Sequence, residues 1–201
     1  MKIAVIGYGG QGAWHCCQIA KSDVAELAGT YDIKEGRCQA ARDQGIRVYS
    51  SVEELYADCQ VDVVVVATPN DVHEELVVNA LKSGKHVVCE KPVALQVESF
   101  DRMVKAAKEN GKILTVHQNR RWDVDFLAVK QVIASGEIGK TIRIESRIHG
   151  SRGIPSDWRC TKPAGGGMIL DWGVHLIDQM LQLIPERIVS VNCVTTHITN
   201  Q

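Results

Sequence analysis

Aromatic residues make up only 5% of this 201-residue chain, with two phenylalanines in all. Any core therefore rests on Val, Ile, Leu and Ala. No stretch reaches the roughly 18 uninterrupted apolar residues that a spanning helix needs, so no membrane partner is expected. An excess of either charge is also missing: 23 Lys and Arg stand against 24 Asp and Glu, a formal net charge of −1. That balance gives no basic field for a polyanion, and no nucleic-acid partner is expected. No C-x-x-C pair occurs. The seven cysteines (16, 17, 38, 59, 89, 160 and 193) are odd in number and scattered, and read as small hydrophobes kept reduced. The start, MKIAVIGYGG, runs into glycines without a cleavage pattern. It reads as a buried first strand, and the chain is expected to be cytoplasmic. What is present, 45% hydrophobic and 23% charged residues, suits a globular protein with one large domain, or one complete domain and a partial one.

Through the first 120 residues, short apolar runs alternate with polar, helix-like stretches. Strands are predicted at 2–6, 25–31, 47–49, 61–66, 86–89 and 113–116. Helices are predicted at 11–20, from the end of the second strand to about 42, at 71–82 and at 97–109. The run VDVVVVATPN is continuous rather than alternating, as in a strand buried on both faces of a parallel sheet. Six strands separated by helices imply right-handed crossovers and an α/β Rossmann doubly wound sheet over 1–120. The pattern then changes. A helix at 124–134 ends at Ser135-Gly136, and 141–149 alternates like a strand with one wet face. A Gly-, Pro- and Arg-rich loop covers 150–167, a helix 171–184 and a strand 187–196. Residues 121–201 thus read as an incomplete α+β second domain, with too few strands to close a sheet.

Gly7-Tyr8-Gly9-Gly10-Gln11-Gly12 is G-x-G-x-x-G, placed after a strand and opening a helix. Gly7 permits the turn, Gly9 lets backbone approach a pyrophosphate, and Gly12 lets the helix pack close to the sheet. The helix N-terminus presents free N–H groups to the phosphates. Asp32 lies 20 residues after Gly12 at the end of the second strand, where a carboxylate accepts ribose hydroxyls and repels a 2′-phosphate. This favours NAD. Lys34 and Arg37 close behind leave NADP open. Thr68, Pro69, Asn70 and His73 follow the fourth strand at its carboxyl end and join the expected cofactor set, as do Glu90 and Lys91. Asn70 serves equally as a plain helix cap.

Glu90-Lys91-Pro92 follows the fifth strand. A Lys there can hydrogen-bond a substrate hydroxyl and act in proton transfer, or be a plain loop residue. Asp171 and His175 follow the run Gly165-Gly166-Gly167. Being i and i+4, they share a helix face, and a carboxylate beside an imidazole suits a general base. A capping Asp and a structural His is the other reading. No H-x-x-x-H or cysteine cluster accompanies them, so no metal is expected. Trp14 and Trp122 read as packing residues.

Together these motifs, with Asn119-Arg120-Arg121, resemble the Gfo/Idh/MocA family of NAD(P)-dependent oxidoreductases, in the right order over nearly the whole chain. Members oxidise a secondary hydroxyl of a sugar, inositol or related polyol, or reduce the matching ketone. The resemblance implies that Lys91 and His175 lie at the reacting hydroxyl with Asp171 nearby. His175 is then the base and Lys91 binds and polarises the hydroxyl, with the reverse assignment open. Asn119, Arg120 and Arg121 match a stretch that lies near substrate in the family, with a domain-junction salt bridge as the alternative for either Arg, and Trp158 and Arg159 in the long loop are expected to reach the pocket. Family members continue through further strands of a second-domain sheet. A naturally short protein, a truncated product and part of a longer one all fit this departure.

The leading expectation is a polyol or sugar dehydrogenase using NAD. A glycosidase with held NAD and a non-catalytic NAD-binding sensor or subunit are the alternatives. Homo-oligomers are expected, because exposed strand edges in the second domain need cover.

Overall fold

A computed structural model describes residues 1–149 and 157–195. The chain divides into two compact units, one of Met1–His117 with Pro163–Gly165 and one of Gln118–Lys162 with Gly166–Gln201.

The first unit holds a parallel sheet of five strands: β1 (Lys2–Ile6), β2 (Glu26–Tyr31), β3 (Val63–Val66), β4 (His86–Glu90) and β5 (Leu114–His117). Their order is β2-β1-β3-β4-β5. Six strands were expected, and the segment at 47–49 is the exception. It makes only an isolated bridge, Thr30 with Val48. Two backbone hydrogen bonds tie it to β2, Thr30 N to Arg47 O and Tyr49 N to Thr30 O, both at 2.9 Å, and the Tyr49 hydroxyl donates to Asp58 at 2.9 Å.

Side-chain alternation explains why the strands read as unbroken apolar runs. Ala4, Ile6, Val64, Val66, Val87 and Cys89 pack on one face with Val77, Leu81, Met103 and Ala106. Val5 and Val65 pack on the other with Cys16 and Ile19. The four valines of β3 are all buried, each contributing about 1.5–3 kcal/mol relative to exposure. The helices are α1 (Gly10–Ala20), α2 (Glu35–Asp43), α3 (Val52–Ala57), α4 (His73–Lys82) and α5 (Val97–Glu109). The helix expected from 71 begins as a 3₁₀ turn at Asn70–Val72. No helix had been read at α3, although Ser51 caps it by accepting from Glu54 N at 3.1 Å.

The second unit contains α6 (Val124–Ser135), which stops at Gly136 with φ 74°, as the glycine signalled. A π turn (Ile169–Gly173) leads into α7 (Val174–Leu183), replacing the single helix expected over 171–184. The strands expected at 141–149 and 187–196 form no ladder among the described residues. Alternation had marked a wet face and a dry one, but pairing needs a neighbour, and a two-stranded ribbon alone is marginal. Position 196 lies outside the described residues, as does part of the 150–167 loop.

Candidate functional site

The glycine motif sits where the sheet order turns about β1. Gly7, at φ 96°, donates to Tyr31 O at 2.7 Å, and Ala67 donates to Ile6 O at 2.8 Å. The ends of β1, β2 and β3 are thereby joined. A Cβ on Gly7 would lie 2.4 Å from Ala67 O, and one on Gly12 would lie 1.8 Å from Gly7 O. Gly9 faces only the Arg37 guanidinium, and Gly10 faces open space. Gly10 and Gln11 are exposed. Gly9 caps α1 without a side-chain hydrogen bond, so the first N–H groups stay free of a side-chain acceptor.

Asp32 is buried, and its carboxylate accepts from Tyr8 N at 2.7 Å and Lys34 N at 2.8 Å. The Arg37 guanidinium stands 3.3 Å away. Thr68 Oγ1 is buried and lacks a hydrogen-bond partner among the described residues. A close backbone cradle, an uncapped helix end, a carboxylate at the second strand and an unsatisfied hydroxyl fit a dinucleotide.

Other expected cofactor residues are engaged elsewhere in this unit. Asn70 neither caps a helix nor faces outward: it is buried and its Nδ2 donates to Gly165 O at 3.1 Å. His73 is fully buried between two carbonyls, Thr68 O at 3.0 Å and Pro92 O at 3.1 Å. Burial lowers its pKa against those acceptors. It clamps the loops that follow β3 and β4.

Glu90 is buried at the end of β4. Its Oε1 receives His15 Nε2 and His117 Nδ1, both at 2.7 Å, and Oε2 accepts Lys91 N at 3.3 Å. Burial pushes this carboxyl upward, but the His117 and His15 donors outweigh it and hold it at about 2. Neither histidine was singled out from sequence. They lie 75 and 27 residues from Glu90, and no motif links them. Lys91 is half-buried beside them.

In the second unit, Asn119 and Arg120 open a 3₁₀ turn, Asn119–Trp122. Arg120 pairs with Asp123 at 2.9 Å and lies 4.1 Å from the Trp172 ring centre. Its Nε is buried without a partner among the described residues. Arg121 grips Asp178, within the same unit, with two hydrogen bonds at 2.8 and 2.5 Å. Arg159 stacks on Trp158, bonds Asp157 at 2.7 Å and approaches Asp171 at 3.7 Å. Gly166 allows this: its Cβ would lie 2.1 Å from Arg159 O. Asp171 is in the π turn, and His175 is buried in the first turn of α7 with its ring edge toward Trp172 at 5.9 Å. Of the packing roles read for Trp14 and Trp122, the first agrees with the contacts of Trp14 with the His15 and His117 rings, and the second is not seen among the described residues. The residues are 46% and 74% exposed.

Residues 1–118 match a family model described as an oxidoreductase family with an NAD-binding Rossmann fold. Residues 126–201 match the GFO/IDH/MocA C-terminal domain. A solved NAD-binding protein from Listeria innocua is 48% identical with a TM-score of 0.89, over 91% of this chain and 54% of that one. A myo-inositol 2-dehydrogenase from Thermotoga maritima is 34% identical, over 95% of this chain and 57% of its own length. GenD2 from gentamicin A biosynthesis, solved with NAD, is 27% identical with a TM-score of 0.78, over 91% of this chain and 53% of that one. The chain spans about half the length of these relatives. It belongs to the Gfo/Idh/MocA family of NAD(P)-dependent oxidoreductases.

Proposed function

We propose that this chain is the cofactor-binding part of a dehydrogenase that takes NAD, with NADP as the second choice, and acts on a secondary hydroxyl of a sugar, inositol or related polyol. The observation that carries the reading is the glycine cradle, with Gly12 against Gly7 O and α1 open at its N-terminus. Gly7, Gly9 and Gly12 let the backbone reach a pyrophosphate, the free N–H groups of α1 bind it, and Asp32 takes the ribose hydroxyls. Arg37, 3.3 Å from Asp32, is the group that would meet a 2′-phosphate. When bound, the nicotinamide accepts or donates the hydride.

His175 takes the hydroxyl proton onto an imidazole nitrogen, and Lys91 Nζ donates a hydrogen bond to the same oxygen and polarises it. Asp171 supports the charge that forms. Asn119, Arg120, Trp158 and Arg159 recognise the polyol. The buried, unsatisfied Nε of Arg120 supports this, since a substrate oxygen is the acceptor it lacks. The Thermotoga relative, a myo-inositol 2-dehydrogenase, supports the substrate class. The first unit serves as dinucleotide domain and the second as substrate and self-association domain. No helix among the described residues is long and apolar enough to cross a membrane. The unbridged cysteines support a reducing, cytoplasmic setting.

Calorimetric titration with NADH and then NADPH tests the cofactor reading, and NADH is expected to bind more tightly. Absorbance growth of reduced cofactor with cyclitols and aldoses then tests the substrate class. Folded protein that binds neither nucleotide overturns the proposal. Folded, NAD-loaded protein silent across the panel overturns the dehydrogenase part.

A further inference from the structure

Glu90 and His117 are direct neighbours in the β4–β5 ladder, so both side chains leave the sheet on one face. Helix α1 covers that face and carries His15. Three rigid elements thus converge on one point, and His15 Nε2, Glu90 Oε1 and His117 Nδ1 all lie within 4.8 Å of one another. The histidine rings stand 4.6 Å apart at 62°. The Trp14 ring leans on both, at 5.2 and 5.9 Å. His15 and Glu90 are buried and His117 is mostly so.

Glu90 Oε1 is shared between the two imidazoles. A buried carboxylate in such company favours a cation. Two imidazole nitrogens and one carboxylate oxygen form a borderline donor set, matched to zinc-like ions rather than to magnesium or calcium.

We propose that His15 Nε2, Glu90 Oε1 and His117 Nδ1 hold one divalent transition-metal ion of the zinc class, with water in the fourth position. A tetrahedral ion at 2.0–2.1 Å spaces its ligands by about 3.3 Å. The two nitrogen–oxygen separations of 2.7 Å therefore open by about 0.6 Å on binding, a movement within reach of the glutamate torsions. Each imidazole binds through the lone pair of its named nitrogen. The proton which that nitrogen shares with Glu90 leaves it, and the other ring nitrogen, Nδ1 of His15 or Nε2 of His117, carries the N–H. The ion ties α1, β4 and β5 together directly behind Lys91, whose backbone N–H already rests on Glu90 Oε2.

The test uses the whole untagged chain, stripped with a chelator and titrated with Co²⁺ as the probe. One equivalent is taken up, with visible absorption of tetrahedral intensity, and Zn²⁺ displaces it while Mg²⁺ does not. His15→Gln and His117→Gln each weaken uptake by more than about 100-fold, beyond the loss typical of outer-shell partners. His86→Gln, at the start of β4, leaves uptake unchanged. On the unsubstituted protein, bound Co²⁺ broadens or shifts the His15 and His117 ring signals in NMR spectra ahead of the other histidines, a readout that holds even where a variant fails to fold. Less than one equivalent bound by folded protein, uptake indifferent to both substitutions, or paramagnetic effects centred on other histidines would each overturn the assignment.

Discussion

Replacing Gly12 and Gly10 separately with alanine tests whether the motif works by close backbone approach. An ideal Cβ on Gly12 lies 1.8 Å from Gly7 O and 2.7 Å from Gly7 C. Real contacts stay above 3.0 Å, so α1 must retreat by at least 3.0 − 1.8 = 1.2 Å. Gly7 cannot yield easily, because it sits at φ 96° with its N–H on Tyr31 O at 2.7 Å. Overpacking costs about 1–3 kcal/mol where side chains can give. Here the obstacle is backbone, so Gly12→Ala is expected at the upper end, about 3 kcal/mol. With a urea m-value near 2 kcal/mol per M, the unfolding midpoint falls by about 1.5 M. NADH affinity drops at least about tenfold, because the N–H groups of α1 retreat with the helix. Gly10 is the internal control. Nothing lies within 4 Å of its would-be Cβ and its φ is not positive, so Gly10→Ala is neutral or stabilises by about 0.4–1 kcal/mol. Equal effects from the two substitutions, or a Gly12→Ala protein with wild-type midpoint and NADH binding, would refute the reasoning.

Asp32→Ala leaves Tyr8 N and Lys34 N without their acceptor. Calorimetry should show NADH binding weakened by about 1–3 kcal/mol and the preference over NADPH narrowed. The Glu90 carboxyl is held at about 2, below its ordinary 4.5. Its contribution is complete above about pH 4.5 and is lost as pH falls toward about 2. Urea unfolding of Glu90→Gln should therefore show a flatter pH dependence in that window, and a slope identical to wild type would contradict the assignment. Cys16 is pushed up to about 11 by burial and Cys89 higher still, while Cys38 is also buried. Mass spectrometry after brief iodoacetamide treatment should find label on Cys17, Cys59, Cys160 and Cys193. Rapid native labelling of Cys89 would count against the packing described.

What the sequence revealed depended on whether a signal was local. Val63–Val66 announced a strand buried on both faces because each valine meets a covered face. Gly136 announced the end of α6 because only its own φ was at issue. Helix α3 carried a local signal as well, one that the reading of the sequence passed over. Ser51 and Glu54 stand at capping-box spacing, and Glu54 also accepts from Ser50 N at 2.6 Å. Residues 141–149 and 187–195 show the opposite case. Alternation says which face is wet but never names the neighbouring strand. The cluster of His15, Glu90 and His117 was invisible for a related reason: strand register joins two of its members and helix placement supplies the third. For Asn70 and His73 the residue types pointed to polar roles. Their partners, Gly165 O, Thr68 O and Pro92 O, are backbone atoms with no sequence signature.

The strand order has a consequence for synthesis on the ribosome. β1 leaves the exit tunnel before the other strands of the sheet, yet one of its flanks is completed only by β3, where Ile3 pairs with Val63, 63 − 3 = 60 residues later. At about 5–20 residues per second, that flank waits about 3 to 12 s. For that time it is an open template for another nascent chain. When β3 arrives it brings four consecutive valines, and Asp62 just before them accepts the Lys2 N–H at 2.7 Å. This acidic residue sets the register of the late-arriving strand and places a charge beside the segment most prone to pair wrongly.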